Sequence, residues 1–448
     1  MKNFRRFLSC LLVPLAAMIF GASASGGDGD DKDMQVDARG PLHEGYAQPW
    51  QANSTPNQSV DKKPPEPIPE EPAAEKPAGK NVQWIPGYWQ WDVDRKDFIW
   101  VSGFWRDVPE GRRWIMGYWA QAGDGWRYVN GHWAAEQERD HQYVPEPPKN
   151  SDEGPNTAPP DDHSFYIPGT WLYGENGYYY RDGYWSVIRP GFVWVPASYY
   201  WTPFGWTFVS GYWDYGLGYR GLLFAPVYFA RPYWFTPGWY YQPSFVIGFG
   251  GVCGNFFVGV GFGHYFFGDF YASVYLGCGI RPWFWYGAHH FDPLYAHAHW
   301  ENRAVPGWSA GLQAAYVARV NGAVAPPPRT LAAQATAPAG QMRMVSTLTQ
   351  TRQSGVQLQP VSQTQQSVQA KSARNMVSAS QTMTQSAGLA SHNNPQSFHS
   401  NTGAPTSGRP PINGPAAPGF HGPPTMGHPW FGPSSAGSHS HTNHGSHH

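Results

Sequence analysis

A fourteen-residue pattern of aromatic and polar positions runs through the middle of the chain. Its motif is an aromatic residue, two variable residues, a glycine, one variable residue and a second aromatic, as in W-V-S-G-F-W at 100–105. A fixed internal period of this kind indicates a repeat architecture. The eight copies end at the aromatic residues Trp89, Trp105, Trp119, Trp133, Trp171, Trp185, Tyr199 and Trp213.

The unit is too short for a helical repeat and fits one strand and a turn, or two short strands with two turns. Turn-forming residues lead into a second recurring glycine, so this position predicts a turn. Short antiparallel β-meanders, with aromatic side chains stacked across neighbouring strands, are the expected result. The glycines at the second position are Gly111, Gly125, Gly177, Gly191 and Gly205.

The glycine inside the motif has two interpretations. Dipeptides such as N-G and D-G at this place favour a second turn. Alternatively, the glycine marks a β-bulge within a longer strand. Aromatic residues five positions apart, such as Trp100 and Trp105, point to opposite faces of a regular strand. One extra residue would bring them to the same face, which favours the bulge.

The remaining segments differ from the repeats in composition. Lys2, Arg5 and Arg6, an apolar run and Ala22-Ser23-Ala24 together predict a signal peptide and export to the periplasm, the envelope or the medium. Segments rich in Pro, Glu, Gln or Ser lack the apolar surface that ordering requires. The predicted order is signal peptide (1–24), disordered acidic linker (25–80), repeat block 1 (81–140), linker (141–163), repeat block 2 (164–214), aromatic and glycine-rich region (215–322) and disordered tail (323–448).

The region 215–322 is expected to be a further β region that ends in a short helix. Ser309 is the predicted N-cap of this helix, and Asn321-Gly322 the predicted end. The uncharged stretch 245–262 has the length of a membrane helix but contains six glycines, so no transmembrane helix is predicted in the mature chain. The predicted fold class is mainly β with long disordered terminal segments.

Composition limits the functional classes. The 448 residues include 52 Gly and 44 Pro, and the formal net charge is −1. A neutral chain of this kind lacks the basic surface that nucleic-acid binding needs. Removal of the signal peptide leaves Cys253 and Cys278, which are a candidate disulfide in an oxidising compartment, with two unpaired thiols as the alternative.

Three patterns resemble catalytic or metal motifs without their required context. G-W-S-A-G at 307–311 matches a nucleophile elbow, but no acidic residue follows Glu301. G-L-G-Y-R-G at 216–221 is followed by a strand-like segment containing Pro226 rather than by a helix. The histidines around Asp292 are more typical of packing or surface groups than of metal ligands. The chain is therefore predicted to be non-enzymatic and without a cofactor or metal site.

The motifs at 84–213 resemble the WXXGXW (or YXWGXW) repeat proteins of bacterial envelopes. The segments 220–229, 265–271 and 327–331 also resemble the region that follows such repeats. The resemblance implies export and a repeat architecture. Because the family is functionally uncharacterised, it implies no catalytic residue. Ala197-Ser198-Tyr199 departs from the motif by lacking both the glycine and the final Trp.

These observations favour an envelope-associated structural or interaction protein. The alternative is a binding module for cell-wall polysaccharide, since regularly spaced aromatic rings can stack on sugars or hold quaternary ammonium groups. Variation at the residue between the motif glycine and the last aromatic suggests partial exposure there. The candidate ligand contacts are therefore Tyr88, Phe104, Tyr118, Tyr184 and Tyr212.

Overall fold

The computed structural model describes residues 24–25, 33–51, 55–138, 142–150, 152, 154–248 and 253–393. These residues form a mainly β fold of many short antiparallel hairpins, as the repeat pattern predicts. Most of the predicted signal peptide and the tail beyond residue 393 lie outside the described residues.

The segment that precedes the repeats is folded over much of its length. Leu42, Tyr46, Ile68 and Ala73 are buried in the same core as the repeats. The prediction of disorder therefore does not hold for 33–51 and 55–80. The strands of this segment are β1 (Ala24–Ser25), β2 (Met34–Val36), β3 (Gly40–Pro41), β4 (Ser59–Val60) and β5 (Glu75–Pro77).

Two consecutive motifs fold into one hairpin, in which each arm consists of two strands. Hairpin 1 (82–107) contains β6 (Val82–Ile85), β7 (Tyr88–Asp92), β8 (Asp97–Val101) and β9 (Phe104–Asp107). Hairpin 2 (112–135) contains β10 (Arg112–Ile115), β11 (Tyr118–Ala122), β12 (Gly125–Val129) and β13 (His132–Ala135). The short β14 (Tyr143–Val144) follows.

Repeat block 2 has the same construction. Hairpin 3 (164–187) contains β15 (Ser164–Ile167), β16 (Thr170–Gly174), β17 (Gly177–Arg181) and β18 (Tyr184–Val187). Hairpin 4 (192–215) contains β19 (Phe192–Val195), β20 (Ser198–Thr202), β21 (Gly205–Val209) and β22 (Tyr212–Tyr215). In every hairpin the outer strands pair with each other and the inner strands pair with each other.

The motif glycine is neither a reversing turn nor a one-strand bulge. In hairpin 1, β6 pairs with β9 up to Ile85 opposite Phe104, and β7 pairs with β8 from Tyr88 opposite Val101. Two residues are therefore left out on each arm, 86–87 facing 102–103. We call this symmetric interruption the motif break. A bulge is defined by an unequal number of residues on the two arms, and here the number of unpaired residues is equal.

The turns fall at the second recurring glycine, as predicted. Gly111 and Gly191 have positive φ angles of 69° and 77° in the links that lead into hairpins 2 and 4. Gly177 and Gly205, with φ of 97° and 134°, begin the inner return strands of hairpins 3 and 4. Positive φ is readily adopted by glycine, which explains the recurrence at these four positions. In hairpin 2 the glycine with positive φ is Gly123, at 61°, two residues before Gly125.

Aromatic pairs across the strands also follow the prediction. The first aromatic residue of each motif contacts the last aromatic of the other motif in the same hairpin, with ring centroids 5.0–5.6 Å apart. Such pairs contribute about 0.5–1.5 kcal/mol each beyond area burial. The pairs are Trp84–Trp105, Trp89–Trp100, Trp114–Trp133, Trp119–Tyr128, Tyr166–Trp185, Trp171–Tyr180, Trp194–Trp213 and Tyr199–Phe208.

The aromatic and glycine-rich region completes the sheets. It adds β23 (Gly221–Leu222) to β9 and β24 (Val227–Phe229) to β8, and continues with β25 (Tyr241–Gln242) and β26 (Phe245–Ile247). A four-stranded sheet combines β3 with β27 (Phe256–Gly259), β28 (His264–Phe267) and β29 (Ile280–Pro282). Short 3₁₀ turns span Leu217–Tyr219, Tyr233–Phe235 and Cys253–Asn255.

Helices follow in the second half of the region. They are α1 (Ser273–Gly277), α2 (Trp283–His289), α3 (Pro293–Glu301) and α4 (Trp308–Val320). The predicted closing helix is thus present, but Gly307 rather than Ser309 occupies its N-cap position. Among the described residues, no helix combines the length and apolarity needed to cross a membrane.

The first part of the tail is folded as well. Its elements are α5 (Leu331–Ala335), β30 (Val345–Thr347), α6 (Leu348–Gln353), β31 (Leu358–Pro360) and α7 (Gln363–Asn393). β30 pairs with β26 and β31 pairs with β5, and Met344 and Ala373 are buried. The prediction of disorder therefore does not hold for 323–393. This segment has few apolar side chains, but they pack against the core that other elements form.

A buried ion cluster joins hairpin 1 to hairpin 4. The Arg106 guanidinium lies 2.5 Å from the Asp214 carboxylate, and Arg220 lies 3.0 Å from the other carboxylate oxygen. All three side chains are at most 2% exposed. Arg106 also donates to the backbone oxygen of Gly45, so the cluster fixes the leading segment to the hairpins.

Candidate functional site

The motif breaks of hairpins 1, 2 and 3 bind carboxyl groups. At the break of hairpin 1, the Glu70 carboxylate accepts hydrogen bonds from the backbone N–H groups of Gly87 and Gly103, at 2.8 and 2.9 Å, and from the Trp100 indole at 2.9 Å. A Cβ atom on Gly103 would overlap the Glu70 carboxylate. Glycine is therefore required here because an acidic side chain enters the gap.

Two other hairpins repeat this arrangement. In hairpin 2, Glu44 accepts from Gly131 N–H at 3.0 Å and from the Tyr128 hydroxyl at 2.8 Å. In hairpin 3, Asp152 accepts from Gly169 N–H and from a tyrosine, Tyr166, at 3.1 Å. The side-chain donor is in each case the first aromatic residue of a motif, which makes this position more than a packing residue.

The last Trp of several motifs binds the same acidic segments through their backbone. Trp89 and Trp105 donate to the carbonyl oxygens of Glu66 and Ala73, on either side of Glu70. We call the three segments strap 1 (64–73), strap 2 (41–49) and strap 3 (145–157, in which 151 and 153 lie outside the described residues). The other indoles donate to the Gly45 carbonyl in strap 2 (Trp133) and the Lys149 carbonyl in strap 3 (Trp171), whereas Trp185 donates to the side-chain hydroxyl of Thr157 in strap 3.

Hairpin 4 departs from this arrangement where its sequence departs from the motif. Ala197 occupies the glycine position, and Phe208, the first aromatic of the second motif, has no polar hydrogen to donate. Among the described residues, no carboxylate is hydrogen-bonded at this break. The Trp50 indole instead donates to the backbone oxygen of Ala197 at 3.0 Å.

Burial changes the acidity of two of these carboxyls. Desolvation raises the pKa of Glu70 and Glu44 to about 7, while the N–H and O–H donors act in the opposite direction. An unfolded glutamate loses its proton near 4.5. Between these values the folded state binds more protons, so stability falls as the pH rises.

We expect Glu70→Gln to remove a fall of about 3 kcal/mol in the free energy of unfolding between pH 4.5 and 7. Urea denaturation at several pH values measures this slope. Burial lowers the pKa of His43 and His264 and gives a slope of the opposite sign, so the test is the difference between the variant and wild-type curves. Parallel curves, as expected for the exposed control Glu110→Gln, would contradict the prediction.

The predicted ligand-contact residues do not share a surface. Tyr88, Phe104 and Tyr118 are buried in the core, with exposed fractions of 4%, 0% and 7%. Tyr184 and Tyr212 are half-buried. The expectation of partial exposure at this motif position is therefore wrong for block 1, because the leading segment and α7 cover its hairpins.

A cleft of about 740 Å³ lies beside α2 and away from these residues. Its volume is within the range of small-molecule sites. The walls come from distant parts of the sequence: the leading segment, strap 3, hairpin 3 and the residues around α2. Aromatic side chains dominate them, namely Trp50, Tyr166, Trp285, Tyr286 and Phe291.

Helix α2 presents one face to the core and another to the cleft. Trp283 and Tyr286 are buried, whereas Trp285 is 38% exposed and His289 is exposed. Gly287 allows α3 to pack closely, since a Cβ atom there would lie 2.4 Å from the nearest atom of the Tyr295 side chain. The packing of α2 against α3 thereby fixes which side chains enter the cleft.

Two polar side chains of the cleft contact Trp285, while the Asp152 carboxyl group lines the cleft from strap 3. The Arg281 guanidinium lies 5.0 Å from the centroid of its ring, a cation–π contact, and the His289 imidazole stacks on it at 4.3 Å. The Trp285 side chain thus orients a fixed positive charge and an imidazole along an aromatic wall. This arrangement suits a ligand that has both a ring with an apolar face and an anionic group.

The residues that resemble catalytic motifs serve structural roles. Ser309 lies within the first turn of α4, and its hydroxyl is 3.2 Å from the Tyr295 hydroxyl. The segment 216–221 forms a 3₁₀ turn followed by β23 rather than a phosphate-binding helix start. Asp292 caps α3 by accepting from Tyr295 N–H, and burial raises the pKa of its carboxyl to about 6.

The histidines near Asp292 do not converge on it. His289 stacks on Trp285, and His297 lies 3.5 Å from Glu301. Within the described part of the chain, no group of three or more His, Cys, Asp or Glu side chains is placed to hold a metal ion. The Cys278 side chain is half-buried, and the side chain of Cys253 lies outside the described residues, so their disulfide stays a prediction.

Comparison with known proteins gives no relative. No family model, curated protein or solved structure matches the chain. Membership of the WXXGXW repeat proteins therefore stays a prediction, and function has to be argued from the geometry.

Proposed function

We propose that the protein is an exported, non-catalytic interaction protein of the cell envelope that binds an acidic polysaccharide in the α2 cleft. The observation that carries the proposal is the Arg281–Trp285–His289 group on an aromatic wall. The predicted signal peptide and the resemblance to envelope repeat proteins support the location.

We place the proposed polysaccharide site away from the repeat aromatics. In block 1 their rings are buried against one another, so their main contribution is cohesion of the hairpins. The cleft offers aromatic surface together with one guanidinium. Pyranose rings with carboxylate or phosphate groups match both features, because Arg pairs well with planar anions.

Calorimetric titration of the full chain with a hexuronate oligosaccharide, and with a neutral oligosaccharide of equal length, tests the proposal. We expect measurable binding of the acidic ligand and weaker binding of the neutral one. Arg281→Gln should weaken the binding of the acidic ligand about tenfold, because a charge-assisted contact is lost. Trp285→Ala should have a similar effect, because Trp285 both stacks and orients Arg281.

Tyr219→Ala is the matched control, since Tyr219 is 74% exposed and lies outside the cleft. Equal binding by this variant and the wild type is expected. The absence of heat with both oligosaccharides would contradict glycan binding and leave a purely structural role. Equal loss in all three variants would show that the binding is not located in the cleft.

A further inference from the structure

We infer that a hairpin of two motifs is a recognition module for an acidic, proline-containing peptide. Hairpins 1, 2 and 3 each hold one segment of this chemistry from their own chain. The inference rests on the motif breaks and not on the Arg281 group, but in hairpin 3 the two sites adjoin, because Asp152 and Tyr166 also line the α2 cleft.

The first element of recognition is the carboxylate gap. Backbone N–H groups of the motif glycines and the first aromatic residue donate to Glu70, Glu44 and Asp152 in three separate hairpins. Hydrogen bonds to a charged acceptor are about twice as strong as neutral ones. Because the same motif positions provide these donors each time, the acid specificity belongs to the repeat.

The second element is a pair of indole N–H groups that bind the peptide backbone. In hairpin 1, Trp89 and Trp105 donate to carbonyls four residues before and three residues after Glu70, at 2.9 and 3.1 Å. Aromatic grooves with such donors suit proline-rich segments, whose extended backbone carbonyls have no internal partner. Strap 1 reads P-P-E-P-I-P-E-E-P-A, and strap 3 begins P-E-P-P-K.

Hairpin 3 is the copy best placed for exchange with a free peptide. Glu70 and Glu44 are nearly inaccessible, whereas Asp152 is half-buried and Gly154 and Pro155 are exposed. Strap 3 is nevertheless bound by Trp171 and Trp185, and its Asn150 donates to Gly169 O at 2.8 Å. This hairpin therefore holds a ligand that lies at the surface, through one glycine N–H, one tyrosine hydroxyl and two indoles.

Amide hydrogen exchange of the full chain tests the role of the carboxylate. Asp152→Asn preserves shape and removes the charge, so we expect exchange in strap 3 to become about tenfold faster or more, with cooperative unfolding retained. Asp162→Asn, at an exposed neighbouring acid, should leave this exchange unchanged. The inference would be overturned if the amides of strap 3 exchanged at the wild-type rate in the Asp152→Asn protein, or if exchange became equally faster in both variants.

A labelled peptide with the sequence of 145–157 tests recognition in trans. Fluorescence anisotropy should show binding to the full-length Asp152→Ala protein, in which the chain's own strap lacks its anchor. The same peptide with Asn in place of Asp should bind about tenfold more weakly. Equal binding of the two peptides, or binding of neither, would overturn acid-directed recognition.

Discussion

Replacement of Asp214 by Ala is expected to lower the free energy of unfolding by about 3–5 kcal/mol. Asp214 is the shared partner of Arg106 and Arg220, and the whole cluster is buried. Its loss leaves two guanidinium groups charged and unpaired in the interior, since Arg does not lose its proton at accessible pH. The cost therefore comes from the partners that remain and not from the removed carboxylate alone.

Urea denaturation of the full chain measures this change. Asp182→Ala is the control, because Asp182 is an exposed aspartate in a motif of hairpin 3, and should shift stability by no more than about 0.5 kcal/mol. A triple variant with Leu at 214 and Met at 106 and 220 should recover much of the loss. Equal stability of Asp214→Ala and the control would show that the cluster does not hold hairpins 1 and 4 together.

Gly131→Ala is expected to lower the free energy of unfolding by about 3 kcal/mol, which is near the upper end of the usual effect of overpacking. A Cβ atom at this position would lie 2.5 Å from the Trp114 ring, 2.6 Å from Ile115 O and 2.8 Å from the Glu44 carboxylate. The backbone oxygen cannot move without breaking the β10–β13 pair. The carboxylate cannot move without losing its bond from Gly131 N–H.

Thermal and urea unfolding measure this effect, with Gly218→Ala as the control. Gly218 has an unstrained φ, and a Cβ atom there would meet no atom within 4 Å. The control should be nearly neutral. A Gly131→Ala protein as stable as the control would mean that the motif glycine is not required by the packing of the break.

The sequence predicts the local parts of the repeat well. The period, the turn glycines and the aromatic pairs depend on contacts within one hairpin, and the spacing of residues determines them. The nesting of two motifs in one hairpin is not predictable in this way. A fourteen-residue period is equally compatible with a meander, and only the pairing of Ile85 with Phe104 distinguishes the two.

The order of the straps and of the folded part of the tail was not predicted, for a different reason. Disorder was expected because these segments have few apolar residues of their own. Their order depends on donors that other elements supply, such as the Trp105 indole for strap 1. The motif glycine is the sequence feature that pointed to the straps. It recurs at a place where no turn is formed, so its small size is needed for another reason, which is the entry of a strap side chain.

The cleft combines residues from distant parts of the chain, including Trp50, Tyr166 and Trp285. No sequence period relates them. Arg281 is nevertheless one of four formally charged residues in 221–300. An arginine in an aromatic segment with so few charges is therefore the sequence feature that points most directly to this site.

The order of straps and hairpins along the chain has a consequence for biogenesis. Glu70 and Asp152 are each seventeen residues from the first glycine that they bind, whereas Glu44 is 87 residues from Gly131. A polypeptide that emerges amino terminus first can therefore complete hairpins 1 and 3 soon after each is synthesised or translocated. Hairpin 2 binds strap 2 only after hairpin 1, which lies between them in the sequence, has been made. Because contacts between residues far apart in the sequence form more slowly, the closure of hairpin 2 is the slower event.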